Sequence, residues 1–193
     1  MRSLTTRDLI NVGIFTVLYF AAVAVFGQLG ALVPILQVLG PLYIPIAAGI
    51  PFTLFLTRVK KFGMITILGV LVGLLVLATG QAFWVPLLAL VLAPAADLIC
   101  RAGGYRRWPY LVAGYAVFSL MLIGTVVPLF FAREAFLARV GQRHDDAWVQ
   151  TIIDLTPNWM FAVMIVMLVV GSVAGAQLGR SVLRKHFERA GIA

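Results

Sequence analysis

Charge, cysteine and histidine are all scarce in this chain, and each scarcity closes off a class of function. Asp, Glu, Lys and Arg make up 11% of its 193 residues, against 62% hydrophobic residues. A soluble domain carries about 25% charged residues. This composition, with a mean hydropathy of +1.04, is that of an integral membrane protein. The single cysteine, Cys100, excludes an internal disulfide and a cysteine-cluster metal site. The two histidines, His144 and His186, fall on opposite faces of the membrane in the topology argued below, so they cannot share one metal. HExxH, Gly-x-Ser-x-Gly and phosphate-loop motifs are absent. An intramembrane protease needs a buried acid pair or a Ser-His pair, and the only acid inside an apolar run is Asp97. The sequence thus reads as a non-enzymatic membrane protein.

What is present is six apolar runs, at residues 9–27, 41–56, 62–80, 83–100, 111–131 and 159–178. A helix needs about 20 residues to cross a hydrocarbon core of about 30 Å. Alternating barrel patterning is lacking, so the expected fold is all-α: a single domain, 1–193, of six transmembrane helices. The second and fourth runs contain Pro45, Pro51, Pro86 and Pro94, which predict kinks or tilt. The first run continues as a full span rather than ending at a cleavage site, so it does not read as a signal peptide.

Basic residues orient the bundle. With six spans, Arg2, Arg7, Arg58, Lys60, Lys61, Arg101, Arg106, Arg107, Arg180, Arg184, Lys185 and Arg189 fall on one side. Arg133, Arg139 and Arg143 fall on the other, beside Glu134, Asp145, Asp146 and Asp154. The positive-inside rule places both termini in the cytoplasm of a plasma-membrane protein. The net charge of +8 is then a topology signal and gives no case for nucleic-acid binding.

Two outer connections stand out. Residues 28–41 are apolar yet interrupted by Gly30, Pro34, Gly40 and Pro41, which predicts a re-entrant outer loop. In 132–158, helical spacing of Phe136, Leu137 and Val140, and of Trp148, Val149, Ile152 and Ile153, predicts two short interfacial helices. Trp84, Trp148 and Trp159 fall at the outer boundary, where tryptophan anchors or walls a pocket. At the other end Thr5, Thr6 and Asp8 can cap the first helix, and Asp97 is expected to pair with Arg101.

Small residues form stripes: Gly171, Gly175 and Gly179 in the sixth run, Gly69 and Gly73 in the third, and Gly13, Ala21, Ala22 and Ala24 in the first. Such stripes let another backbone approach closely, either within the bundle or on a partner. The outer mouth gathers Gln28, Gln37, Tyr43, Gln81, Phe83, Trp84, Arg133, His144, Asn158 and Trp159. Apolar walls with a few polar groups suit a small molecule. Outer arginines can grip a carboxylate or phosphate, and His144 is a candidate haem-iron ligand.

Four stretches carry a resemblance: residues 4–16 (LTTRDLINVGIFT), 49–64 (GIPFTLFLTRVKKFGM), 155–160 (LTPNWM) and 183–192 (LRKHFERAGI). Together they resemble the Trep-Strep family, a group among the substrate-binding S-components of energy-coupling-factor (ECF) importers. The resemblance implies a six-helix protein that binds a vitamin-like nutrient at its outer face. It implies partners too: a transmembrane scaffold subunit on which it docks and topples, and two cytoplasmic ATPases. S-components often dock through an Ala-x-x-x-Ala arrangement on the first helix; here Gly13, Val17 and Ala21 take that spacing, followed by Ala24. No cofactor of its own is implied. The candidate ligands are haem or another tetrapyrrole and, alternatively, a vitamin-like compound or a methionine-related nucleoside. The competing readings are a structural or assembly membrane protein without ligand, and an intramembrane lipid-modifying enzyme.

Overall fold

The computed structural model describes residues 4–59, 61–80 and 83–189, with side chains as far as residue 185. Among the described residues there are nine α-helices and no strand. They are α1 (Thr6–Gln28), α2 (Pro34–Leu56), α3 (Met64–Ala78), α4 (Trp84–Ala102), α5 (Trp108–Ser119), α6 (Val127–Phe131), α7 (Arg133–Gly141), α8 (Asp146–Leu155) and α9 (Met160–Arg189). Short 3-10 turns follow α1 (Leu29–Ala31) and α5 (Leu120–Thr125).

Five stretches are long and apolar enough to cross a membrane: α1, α2, α4, α5 with its 3-10 extension, and α9. The third predicted span is shorter. α3 holds 15 residues, about 22 Å at 1.5 Å per residue, below the thickness of a hydrocarbon core. One face packs into the bundle, where Ile65, Leu68 and Val72 are fully buried, and the other carries the exposed Leu71, Leu74 and Leu77.

Each boundary has a local cause. α1 starts at a capping box, in which Thr5 and Asp8 satisfy each other's backbone N–H groups. The re-entrant loop expected over 28–41 is not formed. α1 continues to Gln28, a 3-10 turn reverses the chain, and α2 begins at Pro34. Val33 is extended (φ −145°, ψ 134°), the conformation that the residue before proline prefers, and Pro34 sits at the helix start, where its missing N–H costs nothing. Gly40, Pro41, Pro45 and Pro51 then lie inside α2. An apolar surround offers no water to an uncoiled backbone, so the helix persists through them. α4 likewise continues through Pro94.

Helix order follows from the glycine contacts. α2 and α9 run parallel, with Gly171 against Leu42, Gly175 against Pro45 and Ile46, and Gly179 against Thr53. A methyl on Gly175 would lie 2.9 Å from the Ile46 Cα. The doubled GxxxG is therefore an internal seam, where close backbone approach supplies dispersion. α3 and α4 run antiparallel, with Gly69 against Ala93 and Gly73 against Pro86 and Ala89. α5 runs antiparallel to α4: Gly114 meets Cys100, and Gly124 reaches the backbone of Trp84 and Val85. At the centre, Tyr19, Phe52, Tyr115 and Phe118 form an aromatic cluster with ring centroids 4.5–6.2 Å apart. The Tyr115 hydroxyl donates to the Pro45 carbonyl at 2.6 Å, tying α5 to α2.

These directions bring Arg7, Arg58, Lys61, Arg101, Arg106, Arg107, Arg180 and Arg184 to one end of the bundle. Lys61 pairs with Asp8 at 2.7 Å there. Asp97 is fully buried but does not pair with Arg101. One carboxylate oxygen accepts from the Gly63 N–H (2.8 Å), the Thr66 N–H (3.1 Å) and the Thr66 hydroxyl (3.1 Å). The other accepts from the Tyr105 hydroxyl at 2.7 Å. Asp97 thus caps the start of α3 from across the bundle and needs no cation. Burial, with the hydrogen bond to Asp97, pushes the Tyr105 phenol above its usual range. The Arg101 guanidinium lies 5.5 Å from the Phe62 ring centroid instead.

A cavity opposite the basic end

The opposite end of the bundle is hollow. A cavity of about 310 Å³ lies where α1 ends, α2 begins and α3 ends. Phe20, Val23, Ala24, Gly27 and Gln28 of α1 form one wall, and Gln37, Gly40, Pro41, Tyr43, Ile44 and Pro45 of α2 another. Val76 and Thr79 close it below α3, and Leu122, Thr125 and Val126 enter from the end of α5. Phe136 and Arg143 reach in from the segment around α7, and Leu168 from α9. Most lining residues are apolar, but Gln28, Gln37, Tyr43, Thr79, Thr125 and Arg143 give the wall a substantial polar share; the volume lies at the lower end of the usual range for a small-molecule site.

The parting of chains that makes this hollow is local. The six-residue 3-10 segment after α5 ends at Thr125, α6 holds only five residues, and α7 leaves at Ala132. The outer arm of α7 and α8 then folds back. Ile152 of α8 is fully buried, whereas α7 buries no residue completely. Asp145 caps α8 by accepting from the Trp148 N–H at 2.8 Å.

Of the residues expected at the mouth, Gln28, Gln37 and Tyr43 line the cavity. Gln81 lies outside the described residues. Arg133 is spent elsewhere: its guanidinium donates to the carbonyls of Thr156 (2.9 Å) and Ile153 (3.0 Å), holding the last turn of α8. His144 stacks on Trp148 with ring centroids 4.2 Å apart and does not line the cavity. Trp84 and Trp159 are 37% and 63% exposed, Asn158 is exposed, and none of them lines it. Trp84 stacks on Phe83. Exposed tryptophans at this end fit membrane anchoring better than a pocket wall.

Sequence reading missed Thr79, Thr125, Phe136 and the specific role of Arg143. For Thr79 the signal was present, since it sits at the end of the third apolar run; Thr125 lies inside the fifth run, which gave no sign that the chain would turn there. The first-helix stripe also divides. Val17 is 61% exposed, Ala21 is exposed, and a Cβ on Gly13 would meet nothing within 4 Å. Ala24 instead faces the cavity. Among the described residues no cluster of three or more His, Cys, Asp or Glu could hold a metal.

Comparison with curated proteins and with solved structures finds no significant match. The sequence profile of a hypothetical bacterial integral membrane protein family, Trep_Strep, matches residues 6–189. The cavity-bearing helical bundle therefore belongs to the Trep_Strep family of bacterial integral membrane proteins.

Proposed function

We propose that this protein is a substrate-binding subunit of an importer of the ECF type. It crosses the plasma membrane six times, α3 being the short third crossing, and keeps both termini in the cytoplasm. The outer cavity captures a small, amphipathic, vitamin-like nutrient. A transmembrane scaffold subunit with two cytoplasmic ATPases then drives its release inward. The chain has no phosphate loop, so the nucleotide chemistry belongs to those partners.

The observation that carries this reading is the cavity at the end opposite the main cluster of basic residues. A structural or assembly protein gains nothing from a hollow lined by Tyr43, Gln37 and Arg143. The outward face of α1 supplies a docking surface: Gly13, Val17 and Ala21 lie free of the bundle, beside exposed Ile10 and Ile14. The cavity wall contains no histidine, so the ligand is better read as a vitamin-sized compound than as haem held by His144.

The test is co-purification and uptake. The protein expressed with its host's importer genes should bring down an ATPase-bearing scaffold. Gly13→Leu and Ala21→Leu should lose both this association and uptake while keeping ligand binding. Unimpaired uptake by both variants would remove the docking face.

A further inference from the structure

The charges and protons available on the cavity wall are unevenly distributed. Among the described residues, Arg143, itself exposed, is the one charged residue that lines it. The outer carboxylates Glu134, Asp145, Asp146 and Asp154 are all exposed and none lines it. A cation bound there would thus find no ion-pair partner among the described lining residues and would meet the charge of Arg143 instead. The hydroxyls are committed in one direction. Thr79 donates to the Val76 carbonyl at 2.6 Å and Thr125 to the Leu122 carbonyl at 2.8 Å. Each hydroxyl has one proton, so only its lone pairs remain for a ligand. The Tyr43 hydroxyl is buried and has no hydrogen-bond partner among the described residues.

We infer that the cavity takes a small amphipathic monoanion: a carboxylate gripped by Arg143, on a largely apolar body that presents N–H or O–H donors to Thr79 and Thr125. A single guanidinium offers a planar pair of N–H donors, which matches a carboxylate in charge and shape. A phosphate ester carries a charge of about −1.5 to −2 near neutral pH and would exceed what the single lining guanidinium can match. This inference rests on the binding role proposed above and narrows it to a ligand class.

The experiment uses the full chain in detergent. The probe is an aqueous small-molecule extract of bacterial cells, split by ion exchange into anionic, cationic and neutral fractions. Thermal stabilisation and native mass spectrometry read binding. The anionic fraction should stabilise the protein and add one discrete mass, and treating it with a phosphatase should change nothing. Arg143→Gln should need about tenfold or more of that fraction for the same shift, with Arg143→Lys in between. Arg139→Gln, a charge-matched control outside the cavity, should behave as wild type. Stabilisation by the cationic or neutral fraction alone would overturn the ligand class and leave the binding role standing. Loss of the effect after phosphatase would assign a phosphate in place of the carboxylate. An Arg143→Gln response equal to wild type would remove Arg143 from the site. Silence in every fraction would take the binding role with it.

Discussion

Replacing Asp97 by alanine should loosen the basic end of the bundle enough to expose the protein's one thiol. The carboxylate accepts two backbone N–H groups, from Gly63 and Thr66, and two hydroxyls, from Thr66 and Tyr105. The hydroxyls can rotate towards other acceptors. The backbone N–H groups at the start of α3 cannot, and each orphaned donor costs about 1–3 kcal/mol. The total, about 2–6 kcal/mol, is offset in part because a buried charge also disappears, and a net of about 3 kcal/mol is the working value. Cys100 lies one helical turn from Asp97, is fully buried and is the only cysteine. Its labelling by a thiol reagent therefore reports opening of the contact between α4 and α5. A 3 kcal/mol loss in local stability raises the open population about a hundredfold. Asp97→Ala should accelerate labelling by that factor, and Tyr105→Phe, which removes one charge-assisted bond, by about tenfold. A labelling rate for Asp97→Ala within twofold of wild type would refute the assignment of Asp97 as the cap of α3.

Other perturbations separate packing from function. Gly175→Leu should abolish folded yield, because its side chain would meet the Pro45 carbonyl and the Ile46 backbone; size-exclusion profiles in detergent check this. Gly13→Leu should leave the same profile unchanged, since nothing lies within 4 Å of its Cβ position, and should act only on uptake. Arg133→Ala should release the last turn of α8 at a cost of about 1–3 kcal/mol, seen as faster hydrogen exchange at residues 153–156. His144→Ala should leave the ligand-induced thermal shift unchanged, because the ring stacks on Trp148 away from the cavity. A lost shift would put His144 back in the site.

The all-helical fold and five long apolar helices were legible because the bilayer imposes a length and a composition on a span; the third run, expected to be a sixth, gives the shorter α3. Other features were not, and each for a physical reason. Gly30, Gly40, Pro34 and Pro41 read as breakers by rules learned in water, yet Pro34 starts a helix and Gly40 and Pro41 sit within it. The fifth run looks continuous, but Gly124 has to reach the Trp84 and Val85 backbone, and the chain tightens to a 3-10 turn there. The local spacing of Asp97 and Arg101 suggested a pair one turn apart, whereas two of the carboxylate's partners lie 31 and 34 residues away, where spacing carries no information. The polar outer residues were recognised as a group. Which of them face inward depends on how α7 and α8 fold back, and so Arg133 and Arg143 exchange roles.

The central claim is that the outer cavity holds a small molecule. Native mass spectrometry of the protein released from bacterial membranes into detergent tests it directly, with Ala24→Phe as the cavity-filling comparison. The account predicts the chain plus one discrete small-molecule mass for the wild type and the bare chain for Ala24→Phe. A bare wild-type chain, even after incubation with the bacterial extract, or an adduct that survives Ala24→Phe unchanged, would contradict it.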